Sequence, residues 1–573
     1  MKYPLETIRH SSAHVMASAV KNLFPGTKLG IGPRIENGFY YDFDTNHRFS
    51  EEDFEKIEKE MLKIKTQKLE FERSEKSVDE AIKFSEKLPE PYKAELIENL
   101  KDQGEKKVSF YKTGDFVDLC RGPHVKNSAE IGEFKLLSVA GAYWKGSEKN
   151  KMLQRIYGTT WNTKNELNDY LEKLSGAKRR DHKKLGQELS LFTFLPEAPG
   201  MPFWYPKGLI IVNELKSYIR ELNSKFGYEE ISTPLLAKKS VWETSGHWNL
   251  FRDNMFTFDL EEQTYALKPM NCPETLLLYN TKQYSYKDLP VKWADLDPLH
   301  RYEESGTLHG LFRVRGLSQD DAHVFCEEDK IGEAVSEIIE MAKIVFKTFD
   351  LKPTFYLSTR PDKALGTPKT WERAEKSLKE VLEKQKVNFG IKEKDGAFYG
   401  PKIDLHVEDS LGRDWQLSTI QLDFQMPERF SATYIDDSGN KKTPVLIHKA
   451  LFGSLERFLG ILIEHIEARF PIWLSPVQTK VLPIAERHAD YASQVVEKLR
   501  EEKIRAETDS GNETLQSRIR NAELQKIPYI LVVGDKEQVT KKISVRKRGS
   551  KDLTSEDLVD FIRQVKKQIE NRE

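Results

Sequence analysis

Cys272 in Lys268-Pro-Met-Asn-Cys-Pro273, His323 in Gln319-Asp-Asp-Ala-His323 and His448 in Leu446-Ile-His448 are of the types that hold zinc. Three nitrogen and sulfur ligands leave a fourth position open, the pattern of a catalytic zinc, whereas a structural zinc takes four. These residues lie far apart in the chain, so spacing does not assemble them. Taken alone, a core cysteine and two unrelated imidazoles is the plainer reading. Cys326 stands three positions after His323; in a strand that offset turns the two side chains to opposite faces, which predicts a core role for Cys326.

A second set is His10-x-x-x-His14, with Asp118-Leu-Cys120-Arg-Gly-Pro-His124 far downstream. On a helix the i, i+4 spacing puts both imidazoles on one face, about 5–6 Å apart at Cβ. With Cys120 and His124 they could bind zinc or form a hydrolytic pocket, but two solvated histidines and a buried cysteine explain the residues equally well. The third signal is cationic. Arg301-Tyr-Glu303 precedes a turn at Ser305-Gly306, and the chain returns through His309-Gly-Leu-Phe-Arg313-Val-Arg315, read as strand, loop, strand. Arg457 follows on a predicted helix, in Gly453-Ser-Leu-Glu-Arg-Phe-Leu-Gly460. Guanidinium forks suit phosphate oxygens, and a triphosphate bound without a P-loop needs several of them. No GxxxxGK[ST] occurs, which excludes the Walker route, and surface Arg–Glu pairing is the ordinary alternative.

The elements that must position these residues follow from periodicity and turn signals. An amphipathic helix runs from Ile8 to Phe24 and stops at Pro25-Gly26; a β-like run Gly38–Phe43 and a charged helix from Ser50 to Lys65 follow. Residues 163–190 read as one polar connecting helix, whose basic run Lys178-Arg179-Arg180 and Lys183-Lys184 is read as a solvated face. After the loop Leu195–Pro202, apolar Leu209, Val212, Leu215 and Ile219 mark a helix from Gly208 to Phe226, leading into a strand at Tyr228–Ser232. Strand-rich sequence continues to Pro471. Beyond Ser475-Pro476, strands and helices alternate to Gly534, the signature of a small α/β domain.

The 573 residues exceed one core and predict roughly three or four domains. Lys+Arg 90 against Asp+Glu 91 gives a formal charge of −1, so the surface as a whole is not a nucleic-acid clamp, although local basic patches remain open. No signal peptide and no run of the ~18 apolar residues that span a bilayer are present. Three cysteines, Cys120, Cys272 and Cys326, fit a reducing cytosol, so the expected location is the cytoplasm.

With these blocks in order, the chain resembles class II aminoacyl-tRNA synthetases. Gly208–Pro234 is similar to that class's motif 1, Arg301 to Arg313 to motif 2, and Gly453–Gly460 to motif 3. Within the class it resembles the threonyl-tRNA synthetase family, through Lys268–Pro273, Gly316–His323, Tyr399-Gly-Pro-Lys-Ile-Asp404, Gln416–Phe424 and Pro471–Gln478. Arg9–His14, Gly38–Phe43, Asp118–Val125 and Gly141–Trp144 carry the likeness independently in the N-terminal half. The resemblance implies a multidomain α/β and α+β protein. Residues 1–162 would be an α/β editing domain, 163–190 a linker helix, 191–474 a catalytic antiparallel sheet flanked by helices, and 475–573 an α/β anticodon-binding domain. It implies a ligase that uses ATP with Mg2+, L-threonine and tRNA(Thr), carries one catalytic Zn2+ per subunit and forms a homodimer.

By that resemblance Cys272, His323 and His448 hold zinc. Arg301 meets the α-phosphate and carboxylate region, Glu303 adenine, and Arg313 and Arg457 the γ-phosphate side of ATP. Gln416 contacts the α-phosphate region, and Gln421 belongs to the same nucleotide site. Asp321 takes the amino group of threonine, with Gln319, Tyr399 and Lys402 lining the pocket; His247 and His309 lie near the transfer to ribose. His10, His14, Asp118, Cys120 and His124 form the editing site, and Asn512, Glu537 and Arg546 read anticodon bases. Three features depart from the family. Relatives often carry a ubiquitin-like domain ahead of the editing domain, whereas this sequence opens on the latter. Glu274-Thr275 stands where many relatives have Gly-His, and Leu317 where some place an aromatic against adenine. A rival expectation is an RNA-binding regulator on the same fold, to which the basic stretch Lys536 to Arg548 would also be suited.

Overall fold

The computed structural model describes residues 3–85, 90–147, 149–409, 412–509 and 511–573. The chain divides into two compact units, Met1–Ser175 and Gly176–Glu573. In the first, helix Leu5–Leu23 buries Ala13, Met16, Ala17 and Val20 against Phe39, Tyr41 and Phe43. Those aromatics lie on strand Gly38–Asp44 of a five-stranded antiparallel sheet, with Met152–Trp161 and then Glu133–Tyr143 beside it. A three-stranded antiparallel sheet, Glu72–Ser77, Lys107–Thr113 and Phe116–Leu119, carries helices Val78–Ser85 and Pro91–Asp102. Its last strand ends next to Cys120.

The connecting segment is two helices rather than the one expected from sequence, Lys164–Arg180 and His182–Glu188. The break is at Asp181, whose carboxylate accepts from the backbone N–H groups of Lys183 and Lys184 at 2.7 and 3.3 Å. An Asp competing for backbone donors starts a new helix instead of continuing the old one.

In the second unit, helix Pro206–Lys225 precedes a nine-stranded sheet. Its main path runs Glu229–Ile231, Val291–Asp295, Gly316–Cys326, Val445–Ser454, Asp414–Asp423, Lys402–Glu408, Thr354–Ser358 and Phe389–Lys392, and Pro298–His300 pairs with Gly316–Cys326. The first and last pairs of this path are parallel and the interior is antiparallel. Helices Ile331–Thr348, Pro368–Lys384 and Leu455–His465 supply apolar stripes to its core, where Cys326 is buried. The C-terminal sheet orders Ala506–Thr508, Thr479–Pro483, Tyr529–Val533, Lys542–Lys547 and Thr554–Asp557, parallel in its first three strands and antiparallel in the rest. Its two last strands and helix Leu558–Glu570 lie beyond the alternation read from the sequence. No described helix is long and apolar enough to cross a membrane.

Candidate active site

Strands Gly316–Cys326 and Val445–Ser454 pair with His323 directly opposite His448, which puts the rings 5.0 Å apart. Cys272 opens helix Cys272–Tyr279, with Pro273 in its first turn. The ligand atoms of Cys272, His323 and His448 lie within 4.8 Å of one another, and all three residues are buried. Asp423 Oδ2 sits 3.2 Å from His448 Nε2, the carboxylate–imidazole pairing that orients metal ligands. Neither ring nitrogen of fully buried His323 has a hydrogen-bond partner. Burying such a group unsatisfied is costly, so the trio fits a thiolate-accepting cation such as zinc. Without one, burial and then Asp321 push the Cys272 thiol well above its ordinary range.

Cys272 and His448 line one end of a cavity of about 380 Å³, and His323 is buried beside them. Arg301, Glu303, Arg313, Gln319, Asp321, Tyr399, Lys402, Gln416, Gln421 and Arg457 all line it, and Leu317 is in its wall. Arg301 is anchored by Nε donating to the Pro269 carbonyl at 3.1 Å. Arg457 follows the N-cap Ser454 and donates from Nε to the Phe312 carbonyl at 2.9 Å and from Nη1 to the Gln416 carbonyl at 3.2 Å. Burial, then the neighbouring Arg301 and Arg313, bring the Arg457 guanidinium down to about 10. Cations held this close, with Glu303 as the nearby anion, create a field suited to a polyphosphate.

Asn271 Nδ2 donates to Asp321 Oδ2 at 3.1 Å, and burial lifts this carboxyl to about 6, which leaves it ionised at neutral pH. Tyr399 donates to Gln421, and its ring lies 5.0 Å from that of His448. Lys402 pairs with Asp404 at 2.8 Å, and Gln416 Nε2 donates to the same carboxylate at 2.5 Å. His247 and His309 do not line the cavity. His247 is buried behind it, its Nδ1 2.8 Å from Ser245 Oγ and its Nε2 3.1 Å from Met270 Sδ; burial lowers it to about 3. His309 sits in the turn before Arg313, where its backbone N–H donates to the Arg313 carbonyl at 3.2 Å.

Asn271, Asp320, Asp404 and Asp423 also belong to the site, and each lies within or beside a sequence motif that does not by itself mark it. The Asp320 carboxylate accepts from the backbone N–H groups of Leu451, Phe452 and Gly453 at 2.8 to 3.1 Å, tying strand Gly316–Cys326 to the segment before Arg457. Two adjacent aspartates, Asp320 and Asp321, were the available signal: on a strand they face opposite sides, so one must be inside the sheet.

In the N-terminal unit the ligand atoms of His10, His14, Cys120 and His124 also lie within 4.8 Å of one another. Cys120 Sγ is 3.3 Å from His10 Nε2 and 3.3 Å from His124 Nε2, and Gly122 N–H donates to it at 3.2 Å. Ser11 Oγ holds His124 Nδ1 at 3.1 Å. Asp118 takes Lys93 at 2.5 Å and Tyr41 Oη at 2.5 Å, with His14 Nε2 at 3.5 Å. Burial lowers His10, His14 and His124 below their ordinary range and pushes the Cys120 thiol up to about 12, so the cluster is neutral imidazoles around a thiol.

In the C-terminal domain Asn512 is exposed ahead of helix Leu515–Leu524. Glu537 accepts from Gly534 N–H and Ser544 Oγ, at 3.0 and 2.9 Å. Arg546 lies on strand Lys542–Lys547 and pairs with Glu523 at 2.5 Å.

Three family models match the chain: tRNA synthetase class II core domain (G, H, P, S and T) over 256–466, anticodon binding domain over 476–568, and threonyl and alanyl tRNA synthetase second additional domain over 108–157. Threonine–tRNA ligase of Acetivibrio thermocellus is 51% identical over 568 residues, 99% of this chain and 89% of that protein. The Carboxydothermus hydrogenoformans ligase is 50% identical over 567 residues, 99% and 89% of the two chains. The solved RNA-binding domain of threonyl-tRNA synthetase from Cryptosporidium parvum superposes with a TM-score of 0.66 at 38% identity, covering 68% of this chain and 98% of that one. A class II core, an anticodon-binding module and a second additional domain, joined in one chain that is half identical to these ligases along nearly its whole length, make it a member of the threonyl-tRNA synthetase family.

Proposed function

We propose that the chain activates L-threonine with ATP and Mg2+, transfers it to tRNA(Thr) and hydrolyses mischarged seryl-tRNA(Thr), as a cytoplasmic homodimer. The work divides among residues 1–162 for editing, 163–190 as connection, 191–474 for catalysis and 475–573 for anticodon reading. The observation that carries this reading is His323, fully buried with neither ring nitrogen hydrogen-bonded, beside Cys272 and His448. Zinc held by these three would leave coordination positions for the amine and hydroxyl of threonine, which valine cannot fill.

Asp321, held by Asn271 and ionised at neutral pH, receives the ammonium group, while Gln319, Tyr399 and Lys402 line the amino-acid end. Arg301 holds the α-phosphate and the attacking carboxylate close together, so that binding does much of the work of orientation. Glu303 meets adenine, Arg313 and Arg457 hold the γ-phosphate end, and Gln416 and Gln421 complete the nucleotide wall. His247 and His309 act near the ribose of the transfer RNA. Asn512, Glu537 and Arg546 read its anticodon.

Serine also offers both donor groups and lacks one methyl, a difference worth about 1–3 kcal/mol, which binding alone cannot turn into sufficient discrimination. The cluster of His10, His14, Asp118, Cys120 and His124 supplies the second, hydrolytic sieve.

Threonine-dependent ATP–pyrophosphate exchange tests the assignment. Threonine should support exchange, serine should be lower by roughly 10–200-fold, and valine should stay near background. Exchange with valine equal to that with threonine would overturn the metal-based selection.

A further inference from the structure

We infer that His182 is a positioning residue for the ATP-binding arginines, acting through a closed circuit of hydrogen bonds and backbone behind the cavity. This rests on the assignment of Arg313 and Arg457 to ATP. His182 is fully buried at the start of helix His182–Glu188, fixed there by the Asp181 cap. Its Nε2 accepts from the Leu311 backbone N–H at 3.0 Å. That nitrogen therefore carries the lone pair, and the proton on Nδ1 is donated to Glu464 Oε1 at 2.8 Å. With both nitrogens engaged, the group formed by Asp181, His182 and Glu464 is not a metal site.

The turn held by His182 leads into Arg313 and receives the side chain of Arg457. His309 N–H donates to the Arg313 carbonyl and Phe312 N–H to the His309 carbonyl, at 3.2 and 2.9 Å. Pinning Leu311 inside that turn fixes the Phe312 carbonyl, which receives Arg457 Nε at 2.9 Å. Arg457 in turn stands on helix Leu455–His465, whose far end carries Glu464. The circuit His182, Leu311, Phe312, Arg457, Glu464 thus closes on itself. Two steric observations point the same way. The Phe312 ring lies 4.2 Å from that of His182. Gly310 has φ +50°, and a Cβ there would sit 2.2 Å from His182 Nε2, so the turn closes onto the imidazole and an added methyl must displace the ring.

The full-length protein tests this by ATP affinity from calorimetry, alongside the KM values for ATP and threonine in exchange. His182→Asn keeps the donor to Glu464 but withdraws the acceptor from Leu311; His182→Gln restores that acceptor. His182→Asn should weaken ATP by about tenfold, the loss of one buried hydrogen bond, with the KM for threonine within about twofold. His182→Gln should recover most of the loss, and Gly310→Ala, which drives a methyl into the ring, should match His182→Asn. In an Arg313→Ala background His182→Asn should cost little more. Equal losses in both His182 variants, losses shared by ATP and threonine, or full additivity with Arg313→Ala would make His182 a core strut and overturn the proposal. If His182→Asn does not fold, Gly310→Ala carries the comparison with His182 intact. Wild-type protein that binds ATP but gives no threonine-dependent exchange would sink the function proposed above while the ATP comparison still judges His182; no ATP binding at all would overturn both.

Discussion

Cys272→Ala is expected to release the metal and abolish threonine activation together. The thiol, His323 and His448 converge in a buried corner at the cavity's end, where two imidazoles alone cannot satisfy a tetrahedral ion. Removing the thiolate leaves two imidazoles as ligands, too few to hold a dication tightly. Zinc would hold and orient threonine through its amine and hydroxyl, so without it kcat/KM for exchange should fall by roughly a thousandfold or more. Metal content by mass spectrometry, measured with exchange on the same sample, checks it. Cys326→Ala is the internal control: that thiol lies in the main core of the sheet and should be dispensable for both readouts. Full metal stoichiometry in Cys272→Ala would contradict the ligand set.

The second large effect concerns accuracy rather than rate. His10→Ala combined with His14→Ala should leave threonine activation intact and let seryl-tRNA persist. The two rings flank Cys120 and His124 on one face of helix Leu5–Leu23, in a unit that is compact by itself, so their loss should not reach the synthetic cavity. Burial keeps both imidazoles neutral at pH 7, the form able to accept a proton from attacking water. General base catalysis contributes roughly a hundredfold to ten-thousandfold, and hydrolysis of preformed seryl-tRNA should slow by that order. Clearance at the wild-type rate would remove these histidines from the editing role; a matching fall in threonine-dependent exchange would point to misfolding instead.

Much of this protein is legible in its sequence. Helix Leu5–Leu23, helix Pro206–Lys225 and helix Leu515–Leu524 announce themselves through 3.6-residue periodicity and breakers at their ends, because a helix is specified by residues three and four apart. His10 and His14 could be put on one face for the same reason. The separation of Cys326 from His323 needed only the two-residue alternation of a strand. Family resemblance, carried by ordered blocks, supplied the ligand trio and the arginines that spacing could not join.

Other features belong to the tertiary structure alone. His323 meets His448 through strand register, and register is set by the whole buried face of a sheet rather than by either segment. The break at Asp181 arose because a side chain outbid the helix for two backbone donors, a local contest that the polar composition of 163–190 concealed. Asp320, Asp423 and His182 gain their meaning from partners more than twenty residues away, at Leu451, His448 and Glu464. A sequence specifies contacts within a helical turn or a strand pair by pattern. It specifies which buried polar atom satisfies which other only once the core has closed around both and water can no longer stand in.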